Sequence, residues 1–132
     1  MTANLPARVV ATSEALALIA RLTAQHGPLM FHISGGCCDG SAPLCFARGE
    51  FKVGRQDFLL GLVAGDVPVW IGENTFAYWR HTRLILDAAP GRGAGMSLET
   101  PEGMRFLALS ELLDDAEAAT LDAAGEPPRG AD

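Results

Sequence analysis

The side chains able to do chemistry crowd into one short stretch of this chain. All three cysteines, Cys37, Cys38 and Cys45, fall within nine residues, and the adjacent pair sits in Gly35-Gly36-Cys37-Cys38-Asp39-Gly40. Glycines free the backbone to turn tightly, and turns run over surfaces, so this segment is a means of presenting thiols and a carboxylate at a defined place. Thiolates are soft ligands for a transition metal, and a thiolate of lowered pKa is a nucleophile. His32 and Ser34 share one face of the strand that leads into the turn, which makes His32 the first nitrogen donor to consider. His81 is the second. The expected metal-ligating set is therefore drawn from Cys37, Cys38, Cys45, His32, Asp39 and His81. Adjacent cysteines rarely both reach one ion, so two thiolates with a histidine are the expected core of it. No Cys-x-x-Cys pair is present, so the spacing is not that of a structural zinc site, and iron, zinc or an iron–sulfur centre all stay open.

Two further readings use the same residues differently. In the first, Cys37 or Cys38 is a nucleophile whose pKa is lowered by His32, His81 or Arg92, and it adds to an aldehyde. The turn Gly91-Arg92-Gly93-Ala94-Gly95 then supplies backbone donors and one guanidinium for an anion, with Gly91, Arg92 and Gly93 as the candidates. That turn is not a dinucleotide fingerprint, because the third glycine is displaced and no helix follows. No nucleophile–base spacing marks catalytic residues. In the second reading the chain is a docking module that uses the turn together with Trp70, Tyr78 and Trp79. Aromatics at helical spacing are more often core than contact surface.

The elements that must position these groups follow from periodicity. Thr12 or Ser13 caps a first helix, Ala15, Leu18, Ile19 and Leu22 form its apolar stripe, and Gly27-Pro28 stops it. Leu29, Phe31 and Ile33 alternate with polar partners as a strand entering the cysteine turn. Residues 46–53 read as a short surface strand, and 58–65 and 67–71 as two apolar strands, with Pro68 confining the second to one-sided pairing at that point. A short helix capped by Asn74 and a strand over 81–87 come next. The Pro101–Gly103 turn predicts a β-hairpin between 96–99 and 104–109. Ser110 caps a last helix over 111–120. This order predicts one α+β domain over residues 11–120 with a mixed or antiparallel sheet, an N-terminal arm at 1–10 and a disordered acidic tail at 121–132.

Composition narrows the partners. The 132 residues suit one compact domain. The net charge of −6 argues against nucleic acid or an anionic membrane as the main partner, since both require clustered Lys and Arg. No apolar run approaches the ~18 residues of a membrane span, and the first residues lack a secretory signal, so reduced thiols in a cytoplasmic protein are expected. A homo-oligomer is compatible with all of this.

The segments at 34–41, at 76–82 (Phe-Ala-Tyr-Trp-Arg-His-Thr) and at 90–99 resemble a bacterial family labelled aldehyde-dehydrogenase-associated, whose genes neighbour acetaldehyde dehydrogenase genes. The resemblance covers roughly residues 11–109. It implies a cytoplasmic accessory role, with aldehyde dehydrogenase as a partner. A more distant similarity is to the HesB-like, or A-type, iron–sulfur carriers, which hold iron or a cluster between a Gly-Gly-Cys loop and a later Cys-Gly-Cys pair. Cys37 matches the loop cysteine, and the similarity implies a HesB-like layout. No cysteine follows Cys45, so the two later ligands of that family have no counterpart here.

Overall fold

The computed structural model describes residues 6–33, 43–91 and 97–130. Its chain runs β1 (Val9–Ala11), α1 (Ser13–His26), β2 (Leu29–Ile33), β3 (Leu44–Ala47), β4 (Asp57–Val63), β5 (Val67–Gly72), α2 (Glu73–Trp79), β6 (Thr82–Pro90), a 3-10 turn (Thr100–Glu102), β7 (Met104–Leu112) and α3 (Asp115–Ala124). The strands form two sheets, ordered β1-β6-β7 and β3-β2-β5-β4. Both are as the sequence requires of a single α+β domain. The first pairs β1 parallel and β7 antiparallel to β6, and the second pairs β2 antiparallel to β3 and parallel to β5.

Helix α1 begins where its cap chemistry says it should. The Thr12 hydroxyl accepts from the amide of Ala15 at 3.2 Å and donates to Asp87 at 2.6 Å, so one side chain both caps α1 and ties it to β6. Ala15, Leu18, Ile19 and Leu22 are the buried stripe, and Gly27 ends the helix at a φ of 82°, a value that an L side chain resists. Pro68 pairs with Leu62 of β4 while the β2 pairing begins only at Val69, which leaves the proline nitrogen without a ladder bond to supply.

The two sheets and α1 close on one core. Phe31 of β2 meets Phe106 of β7 edge to face, with ring centroids 4.8 Å apart. Around them lie Leu29, Ile33, Val69 and Ile71 from one sheet and Leu84, Leu86, Ala88 and Ala108 from the other. Trp79 is buried here too, as expected of an aromatic at helical spacing, whereas Tyr78 is 69% exposed and Trp70 half-buried.

Four expectations are corrected. The predicted hairpin between 96–99 and 104–109 does not form: β7 pairs with β6 along its whole length, from Thr82↔Leu112 to Pro90↔Met104. Residues 97–99 turn instead toward β3, where the Leu98 amide donates to the Cys45 carbonyl at 3.0 Å. The last helix starts at Asp115 rather than Glu111, because β7 continues to Leu112 and a capping box operates at Asp114 and Glu117, each side chain accepting from the other's amide. The short helix is capped by Gly72, with Asn74 inside it. The strand expected at 46–53 is β3, which ends at Ala47.

Both ends of the described chain are tied down. Val9–Ala11 is a strand, Leu121 of α3 is buried, and beyond α3 the Leu59 amide donates to the Pro128 carbonyl at 2.7 Å. Thus the tail expected from 121 is, over residues 121–130, part helix and part an addition to the edge of β4. No helix is long and apolar enough to cross a membrane.

Candidate functional site

The middle of the second sheet carries a histidine where an apolar residue would otherwise stand. His32 lies on β2, between β3 and β5, and is 4% exposed. Burying an imidazole demands partners for its nitrogens. Asp57, the first residue of β4, provides one: its Oδ1 lies 2.7 Å from Nε2 of His32. Asp57 is itself held. Its Oδ2 accepts from the Gly54 amide at 3.0 Å, and its own amide donates to the Gly54 carbonyl at 3.1 Å. The 54–57 turn thus closes on itself and aims the carboxylate inward.

This arrangement decides which imidazole nitrogen is available. A carboxylate only accepts, so Nε2 carries a proton, and when the ring is neutral the remaining lone pair is on Nδ1. Nδ1 is buried and has no hydrogen-bond partner among the described residues. A buried acceptor left unmet costs about 1–3 kcal/mol, so Nδ1 calls for a partner beyond the described residues, from the rest of the chain, a water or a bound ion. Phe51 stacks on the ring at a centroid distance of 4.3 Å, tilted by 31°, and fixes its plane. Beside the pair opens a cavity of about 500 Å³ whose walls include His32, Phe51, Lys52, Asp57, Glu73 and Asn74.

The other expected site residues are dispersed. Cys45 stands opposite Phe31 on β3, is fully buried in the core, and makes no disulfide. Loss of hydration, followed by the nearby Glu99 carboxylate, pushes its thiol well above the ordinary range. A thiol in that setting is inert. His81, just before β6 of the other sheet, is exposed and holds Asp122 of α3 at 3.0 Å. Gly91 ends β6 with a φ of 145°, its amide bonded to the Gly103 carbonyl at 3.0 Å and the Arg105 side chain lying over it. Cys37, Cys38, Asp39, Arg92 and Gly93 lie outside the described residues. Among the described residues no group of three or more His, Cys, Asp or Glu is placed to hold a metal ion.

Sequence reasoning passed over Asp57 and a second buried cluster. Asp57 immediately precedes an apolar strand, an ordinary place for a turn carboxylate, and nothing in its spacing pairs it with His32. Glu99 and Ser97 are each buried to within 2%. The Ser97 hydroxyl donates to Glu99 and accepts from the Cys45 amide at 2.8 Å, and the other Glu99 oxygen accepts from the Phe106 amide at 3.3 Å. This cluster joins Cys45 on β3 to residues 97–99 and to Phe106 on β7.

A family model described as a domain of unknown function, DUF779, matches residues 18–112. No curated protein and no solved structure matches the chain. The matched span holds β2 through β7, and with them both His32 and Asp57. The chain belongs to the DUF779 family.

Proposed function

We propose that this protein binds a transition metal, with Nδ1 of His32 as a nitrogen donor and the thiolate of Cys37 or of its neighbour Cys38, five and six residues further along the chain, as the soft donor. One observation carries the reading: a buried imidazole is locked by Asp57 so that its remaining lone pair has no partner among the described residues. Metal-ligating histidines characteristically give their other N–H to a carboxylate, which fixes the tautomer and raises ligand basicity. Asp57 is placed for that role. Asp39 is the available hard donor in the same turn, whereas Cys45 and His81 are engaged elsewhere, in the core and with Asp122. The donor set suits zinc or ferrous iron. An iron–sulfur centre fits less well, since only two thiolates remain.

The role of such a centre follows from the sequence resemblance: an accessory protein acting beside an aldehyde dehydrogenase. Elemental analysis of chain purified without a metal-affinity tag tests the metal. Near-stoichiometric iron or zinc is expected, falling at least tenfold in His32→Gln and in Cys37→Ser or Cys38→Ser, and holding in Cys45→Ala. A metal-free wild type that takes up neither ion on titration overturns the reading. Co-purification with an aldehyde dehydrogenase from the same cells tests the partner.

The same dyad favours one alternative, a thiol enzyme. Asp57 orienting His32 supplies a base and its orienting group, the two supports an activated cysteine needs. The thiolate sulfur would bond to the aldehyde carbon, the carbonyl π electrons would move to oxygen, and that oxygen would take the imidazolium proton to give a thiohemiacetal. Thiol titration separates the two readings: ordinary values near ~8.5 for Cys37 and Cys38 in the metal-free chain exclude the enzyme.

A further inference from the structure

The walls of the cavity beside His32 are tied together from outside by a segment that contributes no residue to it. After α3 the chain turns back at Gly125 and runs along the outer edge of β4, where Phe58 and Arg129 form an antiparallel bridge. On either side of that bridge the Leu59 amide donates to the Pro128 carbonyl at 2.7 Å and the Gly130 amide donates to the Asp57 carbonyl at 2.9 Å. Asp57 is thus gripped by its backbone from this segment while its side chain holds His32.

Arg129 extends the grip to the facing wall. Its guanidinium lies 4.4 Å from the centre of the Phe58 ring, donates to the Arg55 carbonyl at 2.9 Å and reaches Glu73, the first residue of α2, at 3.3 Å. Arg55 and Glu73 belong to the two chain segments, 54–57 and 72–75, that wall the cavity, and these touch each other where the Glu73 amide donates to the Gln56 carbonyl at 2.8 Å. The contact leaves no spare room. A Cβ on Gly130 would lie 2.3 Å from a Val53 methyl and 2.5 Å from the Gly54 carbonyl oxygen, so any other residue there must displace the segment from the very turn that aims Asp57.

We propose that residues 126–130 form a positioning strap for the His32–Asp57 pair: the strap holds the 54–57 turn closed and thereby the carboxylate on Nε2. A strand edge left open in β4 would satisfy its amides with water, and the turn would lose the restraint that the Gly130 and Arg129 contacts impose. Displacement of the strap, by substitution or by another extended peptide competing for the β4 edge, loosens the histidine without touching it. The positioning role stands on the hydrogen bonds above. Its consequence for metal affinity rests on the metal-binding reading.

The test uses the full chain with Arg129→Ala or Gly130→Ala, and follows hydrogen exchange of the Gly54 amide in metal-free protein together with affinity for Co²⁺. Both variants are expected to speed Gly54 exchange by about tenfold or more and to weaken Co²⁺ binding by about tenfold, the usual effect of disturbing an outer partner of a ligand. In an Asp57→Asn background the strap variants are expected to add no further loss of affinity, because the group they position is gone. Asp114→Ala, which weakens α3 without touching the strap, serves as the control and should move neither reading. Unchanged Gly54 exchange in both variants overturns the strap, as does an equal affinity loss with and without the Asp57 carboxylate. If the wild type binds no Co²⁺, the metal reading fails, and the exchange data alone decide the strap.

Discussion

At the scale of single residues, burial and one hydrogen bond separate side chains that the sequence had grouped together. Cys45 and His32 stand on neighbouring strands, yet one is sealed in the core beside the Ser97–Glu99 cluster and the other lines a cavity, its Nδ1 without a hydrogen-bond partner among the described residues. Native protein treated with iodoacetamide at pH 8 is therefore expected to leave Cys45 unmodified, and unfolding in urea to expose it, as peptide mapping by mass spectrometry would register. The raised thiol pKa has a second consequence. Below the ordinary thiol value of 9.0 both folded and unfolded chains keep the proton. Above it the unfolded chain ionises first, so Cys45 contributes a loss of stability as pH rises past 9, and Cys45→Ala should flatten that decline in urea melts recorded from pH 7 to 10. Asp57→Asn keeps the shape of its site and removes the carboxylate. On the proposed metal-binding reading, affinity is expected to fall about 10- to 100-fold with the fold intact by circular dichroism.

At the scale of elements, the outcome turned on which of two competing local signals was reinforced by pairing. A Pro–Gly turn between two apolar runs predicted a hairpin, but β7 is in register with β6 along all nine of its residues, while Ser97 and Leu98 bond to Cys45 instead. Likewise Ser110 offered a cap, and the capping box at Asp114 prevailed because it satisfies two amides reciprocally where Ser110 offers one. Asp114→Ala should cost about 1 kcal/mol in urea unfolding. Gly61 marks another element-level constraint. It sits where the β4 register slips against β5, and a Cβ there would lie 3.0 Å from a methyl of Val9 on β1. Gly61→Val is expected to destabilise the protein by about 1–3 kcal/mol through overpacking, read as a lowered midpoint with an unchanged denaturant slope.

At the scale of the whole molecule, the two sheets and α1 share one core, so the site inherits its rigidity from contacts far along the chain. Phe31 is the residue that joins them: it follows α1, flanks His32 on β2 and packs on Phe106 across the sheets. Phe31→Ala should cost about 3–5 kcal/mol and drop the thermal midpoint by well over ten degrees. In calorimetry a single transition is expected in wild type and variant alike, because the buried apolar side chains of both sheets and α1 belong to one cluster.

What could be read from the sequence alone was whatever depends on neighbours in the chain. The α1 stripe and its caps at Thr12 and Gly27, the strand character of 29–33, 67–71 and 82–87, the one-sided pairing at Pro68 and the α+β class all follow from periods of a few residues and from the chemistry of single side chains. His32 was legible as a candidate because it shares a strand face with Ser34 and stands just ahead of the cysteine-bearing segment. Its partner was not, since Asp57 is 25 residues away and reaches it only because β2 and β4 flank β5. The same holds for Ser97 and Glu99 under β3 and for Arg129 over Phe58. Which polar groups are buried, and against what, depends on strand order and the closing of two sheets on one core. Those are set by the summed burial of the whole chain, and no local spacing records them.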